Sequence, residues 1–259
     1  MARWVRFPWP DAGYVHEPAA LRRRWKRLHV GDAEPLPRDA ALLAAWAKLH
    51  AGEFRAAYDA ALALGPAGVT LANKAQALQA TYLERTERTR LAMVDEVARR
   101  ALAQQKAEPA NPAGWFWHAY ALGRRAESLD LLKLVAERLA PQVRQSLEHT
   151  LKLAPKHPEA HLALATFHAE AIARVGRLLA MTEGADAVKG LAHYRQALAL
   201  NPASAIVKVE VARGLLILEG EAARPEARRL LADAARHVPA DAIERLEVEA
   251  AKLALQAAV

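Results

Sequence analysis

The chemistry open to this chain starts with histidine, because the sequence has no cysteine. Disulfides, thiolate catalysis and zinc sites with Cys ligands are thereby excluded. His161 and His168 are seven residues apart, so on a helix they share a face about two turns, or roughly 10 Å, apart. Two ligands of one metal on a helix need a spacing of three or four, as in H-E-x-x-H. His157 and His161 have that spacing, but Pro158 separates them and sets His157 ahead of the helix. The spacing predicts histidines packed between helices, with no metal and no cofactor. Glu159 with Glu170, or Glu127 with Asp130, suit acid/base work only beside a nucleophile, a metal or a phosphate loop. No G-x-S-x-G, P-loop or G-x-G-x-x-G motif supplies one. The expectation is a protein that is not an enzyme.

These side chains must be carried by helices. Ala, Leu, Arg and Glu dominate the composition and are good helix formers, while the 12 Gly and 14 Pro fall mostly between periodic segments. Pro18 opens a short helix to Leu28, with Leu21, Trp25 and Leu28 on one side and Arg22, Arg23, Arg24, Lys26 and Arg27 on the others. Trp25 is expected to pack inward while the basic residues stay solvated. Asp39 is a candidate N-cap for a helix to His50, and a second follows over 56–64. Leu71, Ala75, Leu78 and Tyr82 mark the face of a third, and Leu91, Val94, Val97, Ala101 and Leu102 that of a fourth. Asn111-Pro112 starts a helix through the aromatic run Trp115–Tyr120. An inserted helix is predicted over 128–139 with Leu129, Leu132, Val135 and Leu139 on one side, before Pro141 opens the next. Asp241 is a candidate N-cap for a last helix to about Ala257, whose Glu244, Glu247, Glu249 and Lys252 suit a polar outer face.

Repetition organises these elements. Leu151-Lys152-Leu153-Ala154-Pro155 returns as Leu198-Ala199-Leu200-Asn201-Pro202, and the steps Pro112 to Pro158 and Pro155 to Pro202 are 46 and 47 residues. Both are about twelve longer than the 34 residues of a plain tetratricopeptide unit, and the extra length falls between the first and second helix each time. The segments 158–165 and 194–202 resemble the two helices of a tetratricopeptide repeat. The resemblance spans roughly 40–240, with Lys48 and Thr150 departing from the usual residues. The long units look most like the domain of regulator-of-microtubule-dynamics proteins and related bacterial proteins. The reading is all-α: a right-handed α-α superhelix of tetratricopeptide-like hairpins with two long-insert repeats. Residues 1–38 form a basic, Trp/Pro-rich segment, 39–240 the repeat domain, and 241–259 a capping helix.

The resemblance implies a scaffold that binds a protein or peptide through a concave groove lined by the first helix of each pair. On that mapping Lys74, Phe116, Tyr120, Arg124 and Glu170 are the expected partner contacts: the cations for carboxylates, the aromatics for apolar area. Net charge is +7 and uneven, with seven Lys/Arg against two Asp/Glu in residues 1–30 and twelve against thirteen in 157–259. That asymmetry supports a rival reading, nucleic-acid or acidic-polymer binding through Arg22–Arg27 and the basic middle. A third is a small-molecule carrier with an apolar pocket around Trp115, Trp117 and Phe167. No apolar run marks a secretory signal or a membrane span, so a cytoplasmic protein is expected.

Overall fold

The computed structural model describes residues 4–257, and every regular element among them is helical. The first three residues of the segment 1–38 and the last two of 241–259 lie outside the described residues. The chain packs as two compact units. One comprises Met1–His29, Glu34–Leu139 and Ala240–Ile243, the other Val30–Ala33, Ala140–Pro239 and Glu244–Val259.

The first unit carries α1 (Pro18–Leu28), α2 (Ala40–His50), α3 (Phe54–Ala63), α4 (Val69–Leu78), α5 (Glu87–Ala107), α6 (Pro112–Ala126) and α7 (Leu131–Ala136). Local chemistry starts several of them. Asp39 accepts from Leu42 N at 2.7 Å, and Asn111 accepts from Ala113 N at 3.0 Å with Pro112 in the first turn. Each such cap satisfies an amide that the helix itself leaves unpaired. Leu21 and Trp25 are buried while Arg22, Arg23, Arg24, Lys26 and Arg27 are exposed. The lead-in lies on this unit, with Phe7 edge-on to Phe54 at 5.9 Å and Trp4 beside Tyr58 at 5.0 Å. Helix α4 is buried from Thr70 to Leu78, because α2, α3, α5 and α6 all pack against it. Its polar side chains need internal partners. Asn73 Oδ1 accepts from Arg100 Nε at 2.7 Å, Gln76 Oε1 accepts from Arg100 Nη2, and Gln76 Nε2 donates to Glu96 at 2.7 Å.

The second unit holds all of α9 (Pro158–Thr182), α10 (Ala187–Leu200), α11 (Ala205–Glu219) and α12 (Arg224–Ala235), and most of α8 (Leu139–Leu153) and α13 (Ala242–Ala257). Helices α9 and α10 form one hairpin, α11 and α12 the next, and α11 packs on both α9 and α10. The seam is made mainly of small and branched side chains around one buried aromatic, and includes Ala165, Ala169, Tyr194, Ala197, Val211, Ala212, Leu215 and Leu218. Alanines let the backbones approach, and each fully buried Leu contributes about 1.5–3 kcal/mol. Thr150, where the repeat usually has Ala, is fully buried and donates to Ser146 O at 2.9 Å, so its hydroxyl is satisfied within α8.

Both long inserts are helical but add little core. The helix expected over 128–139 is the single short α7, begun by Asp130 capping Lys133 N and followed by Arg138 at φ +51°. Its expected apolar side does not bury: Leu132 is 83% and Val135 64% exposed, and Leu139 alone of the four is buried. The period was helical, yet no neighbouring element covers that side. In the second insert α9 breaks at Gly176, with φ 76° and ψ 163°, a conformation open essentially to glycine only. Beyond the break Leu178, Leu179 and Met181 are exposed.

Candidate functional site

The structure distributes the five expected contact residues between the two units. In the first, Lys74 and Phe116 are only 5% and 3% exposed. Lys74 sits in the enclosed α4 with its Nζ 5.9 Å from the centre of the Trp46 ring. Tyr120 and Arg124, one turn apart on α6, are half-buried, and the guanidinium lies 5.3 Å over the phenol ring. Tyr120 Oη shares a 2.8 Å hydrogen bond with Thr81 Oγ1, and Arg124 pairs with Glu127 at 2.9 Å. The neighbouring Arg125 ties Asp95 on α5 (2.5 Å) to Glu137 beyond α7 (2.9 Å), and the bond from Arg125 holds the Glu137 carboxyl below its ordinary pKa. In the second unit Glu170 pairs with Arg213 at 2.5 Å, joining α9 to α11.

A constellation of titratable groups lies elsewhere in the second unit, around a cleft of about 420 Å³. Arg144, Glu148 and Leu151 line it from α8, Leu164 and His168 from α9, Lys189 and His193 from α10, and Met181, Thr182 and Gly184 from the end of α9 and the turn after it. Hydrogen bonds assign the histidine tautomers. His161 Nε2 donates to Pro155 O at 3.0 Å, so its Nδ1 accepts from His193 Nδ1–H at 2.8 Å. Nε2 of His193 is then left as a lone-pair acceptor. His168 Nδ1 accepts from Asp186 N at 3.2 Å, so its Nε2 carries the proton. Burial first, then the charges of His193 and Lys189, bring the His168 pKa down to about 4, against the opposing pull of Asp186. Burial and His161 lower that of His193 as well. His168 is therefore neutral and donating near pH 7. Gly184, at φ +81°, lets the turn pass close by Arg144: a Cβ there would stand 2.9 Å from the Arg144 Nε.

His161 and His168 were legible as neighbours on one helix face. His193, Arg144 and Lys189 were not, because their approach depends on the register of α8 and α10 against α9. His157 takes a structural part, capping α9 through Nδ1 to Ala160 N at 3.1 Å. Among the described residues, no group of three or more His, Asp or Glu is placed to hold a metal.

A second constellation is sealed inside the first unit. Asp241 Oδ2 accepts from His50 Nδ1 at 2.7 Å, and His50 Nε2 stands 3.2 Å from His29 Nε2. All three are at most 3% exposed, and Trp25 stacks on His29 with ring centres 3.9 Å apart. With its Nδ1–H given to Asp241, His50 Nε2 accepts from His29. The arrangement orients an imidazole as a catalytic dyad does, but it is closed off from solvent, and it links the ends of α1 and α2 to Asp241 ahead of α13. Of the residues expected around a carrier pocket, Trp115 and Trp117 belong to the first unit and Phe167 to the second.

No helix among the described residues is long and apolar enough to cross a membrane. No family model matches the chain, and no curated protein matches it. The finer likeness to regulator-of-microtubule-dynamics proteins thus finds no counterpart among these comparisons. A solved structure does match: that of TTC0263, a thermophilic TPR protein of Thermus thermophilus, at 17% identity and a TM-score of 0.57 over 82% of this chain and 97% of that one. The chain is an all-α protein with a tetratricopeptide-like fold.

Proposed function

We propose that this protein is a non-enzymatic scaffold that binds a protein or peptide segment through its helical hairpins. The observation that carries the reading is the pair Tyr120 and Arg124 on α6, a half-exposed aromatic ring stacked under a guanidinium. Such a pair combines apolar area with a charged donor, the combination that dominates protein interfaces. Phe116, its ring centre 6.2 Å from that of Tyr120, backs this face, Lys74 is enclosed in α4 beside Trp46, and Glu170 offers a partly exposed carboxylate in the other unit. The likeness to a TPR protein supports the class of scaffold and leaves the partner to be found. The test is selection of peptides from a random library on the purified protein, followed by calorimetry with Tyr120→Ala and Arg124→Glu. Affinity at least about tenfold weaker in both, a loss of about 1.4 kcal/mol, is expected. Unchanged affinities would remove α6 from the binding surface.

One observation favours a second reading, nucleic-acid binding, namely the exposed basic face of α1. Because Trp25 is buried, that face offers phosphate contacts without base stacking. Binding of this kind falls steeply with salt, and absence of binding at low salt would end the reading.

A further inference from the structure

We infer that the cleft of the second unit binds a dianionic oxyanion, a phosphate monoester carried on a polypeptide. Donors converge on it from separate elements. Arg144 comes from α8, lines the cleft with its guanidinium partly exposed, and gives one edge, through Nη1, to Glu148 at 2.9 Å. Lys189 comes from α10 and is exposed, its ammonium unclaimed by any carboxylate of the cleft. His168 comes from α9 with its Nε2–H free to donate once Nδ1 is bonded to Asp186 N.

His193 adds the element that selects charge. Its Nδ1–H is committed to His161, so protonation occurs at Nε2 and turns an acceptor into a second donor. With the ring neutral, Arg144 and Lys189 against Glu148 leave the lining a surplus of one positive charge, and a dianion that draws a proton onto His193 meets a surplus of two. That surplus matches a phosphate monoester, which carries about −1.5 to −2 near neutral pH and three acceptor oxygens. A carboxylate, with one charge, balances the lining with His193 neutral and gives the ring less reason to take up a proton. Leu151, Leu164 and Met181 supply apolar wall for the carrier. The groups that face His193 and set its titration are His161 and His168 from α9, Glu148 from α8 and Lys189 from α10. A bound dianion opposes the effect of His161 and Lys189 and favours the protonated ring, so binding tightens as pH falls from about 8 toward the second phosphate pKa of about 6.

The inference rests on the scaffold reading for the polypeptide nature of the ligand, and the phosphate site is measured without any partner. The experiment is an NMR titration of the histidine Cε1–H signals of the whole chain with N-acetyl-phosphoserine amide, inorganic phosphate and acetate at equal ionic strength. Both phosphates are expected to move the His193 and His168 signals saturably and to raise the His193 pKa. The signal of His237, which bonds Glu244 away from the cleft, stays in place. Lys189→Gln, a surface change that leaves the fold intact, and Arg144→Gln each weaken binding by about tenfold or more, as expected of a charge-assisted contact. Acetate matching phosphate, shifts that do not saturate, or full affinity in Lys189→Gln would each overturn the site. Saturable phosphate binding by a protein that selects no peptide would instead end the scaffold reading and leave the anion site standing.

Discussion

His168 provides the sharpest test of how the second unit is built. In the unfolded chain its pKa is near 6.5, and in the folded protein burial and the nearby His193 and Lys189 bring it down to about 4. The folded pKa is depressed, so below 6.5 the unfolded chain takes up a proton that the folded protein refuses. Stability is therefore whole above about pH 6.5 and falls as the pH drops toward 4. Each separation of one pKa unit is worth about 1.36 kcal/mol, so the loss reaches about 3 kcal/mol by pH 4. The perturbation is His168→Asn, whose Oδ1 stands close to the place of Nδ1 and still accepts from Asp186 N. It keeps the hydrogen bond and removes the titration. Glu148, Asp186 and His193 remain in both proteins, so their contributions cancel in the comparison to first order. Urea denaturation followed by circular dichroism from pH 7 to pH 4 should show the wild type losing about 3 kcal/mol more than the variant. Parallel stability curves, or a His168 signal titrating near 6.5 by NMR, would refute the argument.

Four further outcomes are expected. Asp241→Ala leaves the buried Nδ1–H of His50 without its acceptor, and should cost about 2–4 kcal/mol in chemical denaturation; a cost below about 0.5 kcal/mol would show that the chain to His29 is not a clamp. Gly176→Ala meets no atom within 4 Å but forces alanine into φ 76°, ψ 163°, so a loss of about 1–3 kcal/mol in stability is expected. Gly123→Ala, at an uncrowded site within α6, should instead stabilise by about 0.5–1 kcal/mol, and a loss there would contradict the open space around it. Arg125→Gln unties α5 from the segment after α7 and, with its partners partly exposed, should cost only about 1 kcal/mol while raising hydrogen exchange in 131–137.

Much of the element order was legible because its signals are local. Asp39, Asn111-Pro112 and His157-Pro158 stand at or beside helix starts, where a side chain or ring acts on amides within three residues. The repeated ending before Pro155 and Pro202 located the hairpins for the same reason. The inserts were legible as length but not as packing. Leu132 and Val135 have the spacing of a buried face and are exposed, since a period says which residues share a side and nothing about what covers it. Lys74 shows the converse: a charged residue read as groove-lining is enclosed, because four helices surround α4.

The site residues divide along the same line. Sequence alone determined that histidine was the available chemistry, that His161 and His168 share one face, and that the chain is all-α, because these follow from composition and from rules acting over three to seven residues. Tertiary structure decided that His193, Arg144 and Lys189 complete the cleft, and that Asp241 meets His50 across 191 positions of chain. Those meetings depend on helix register, which many small packing terms set together and no short stretch of residues encodes.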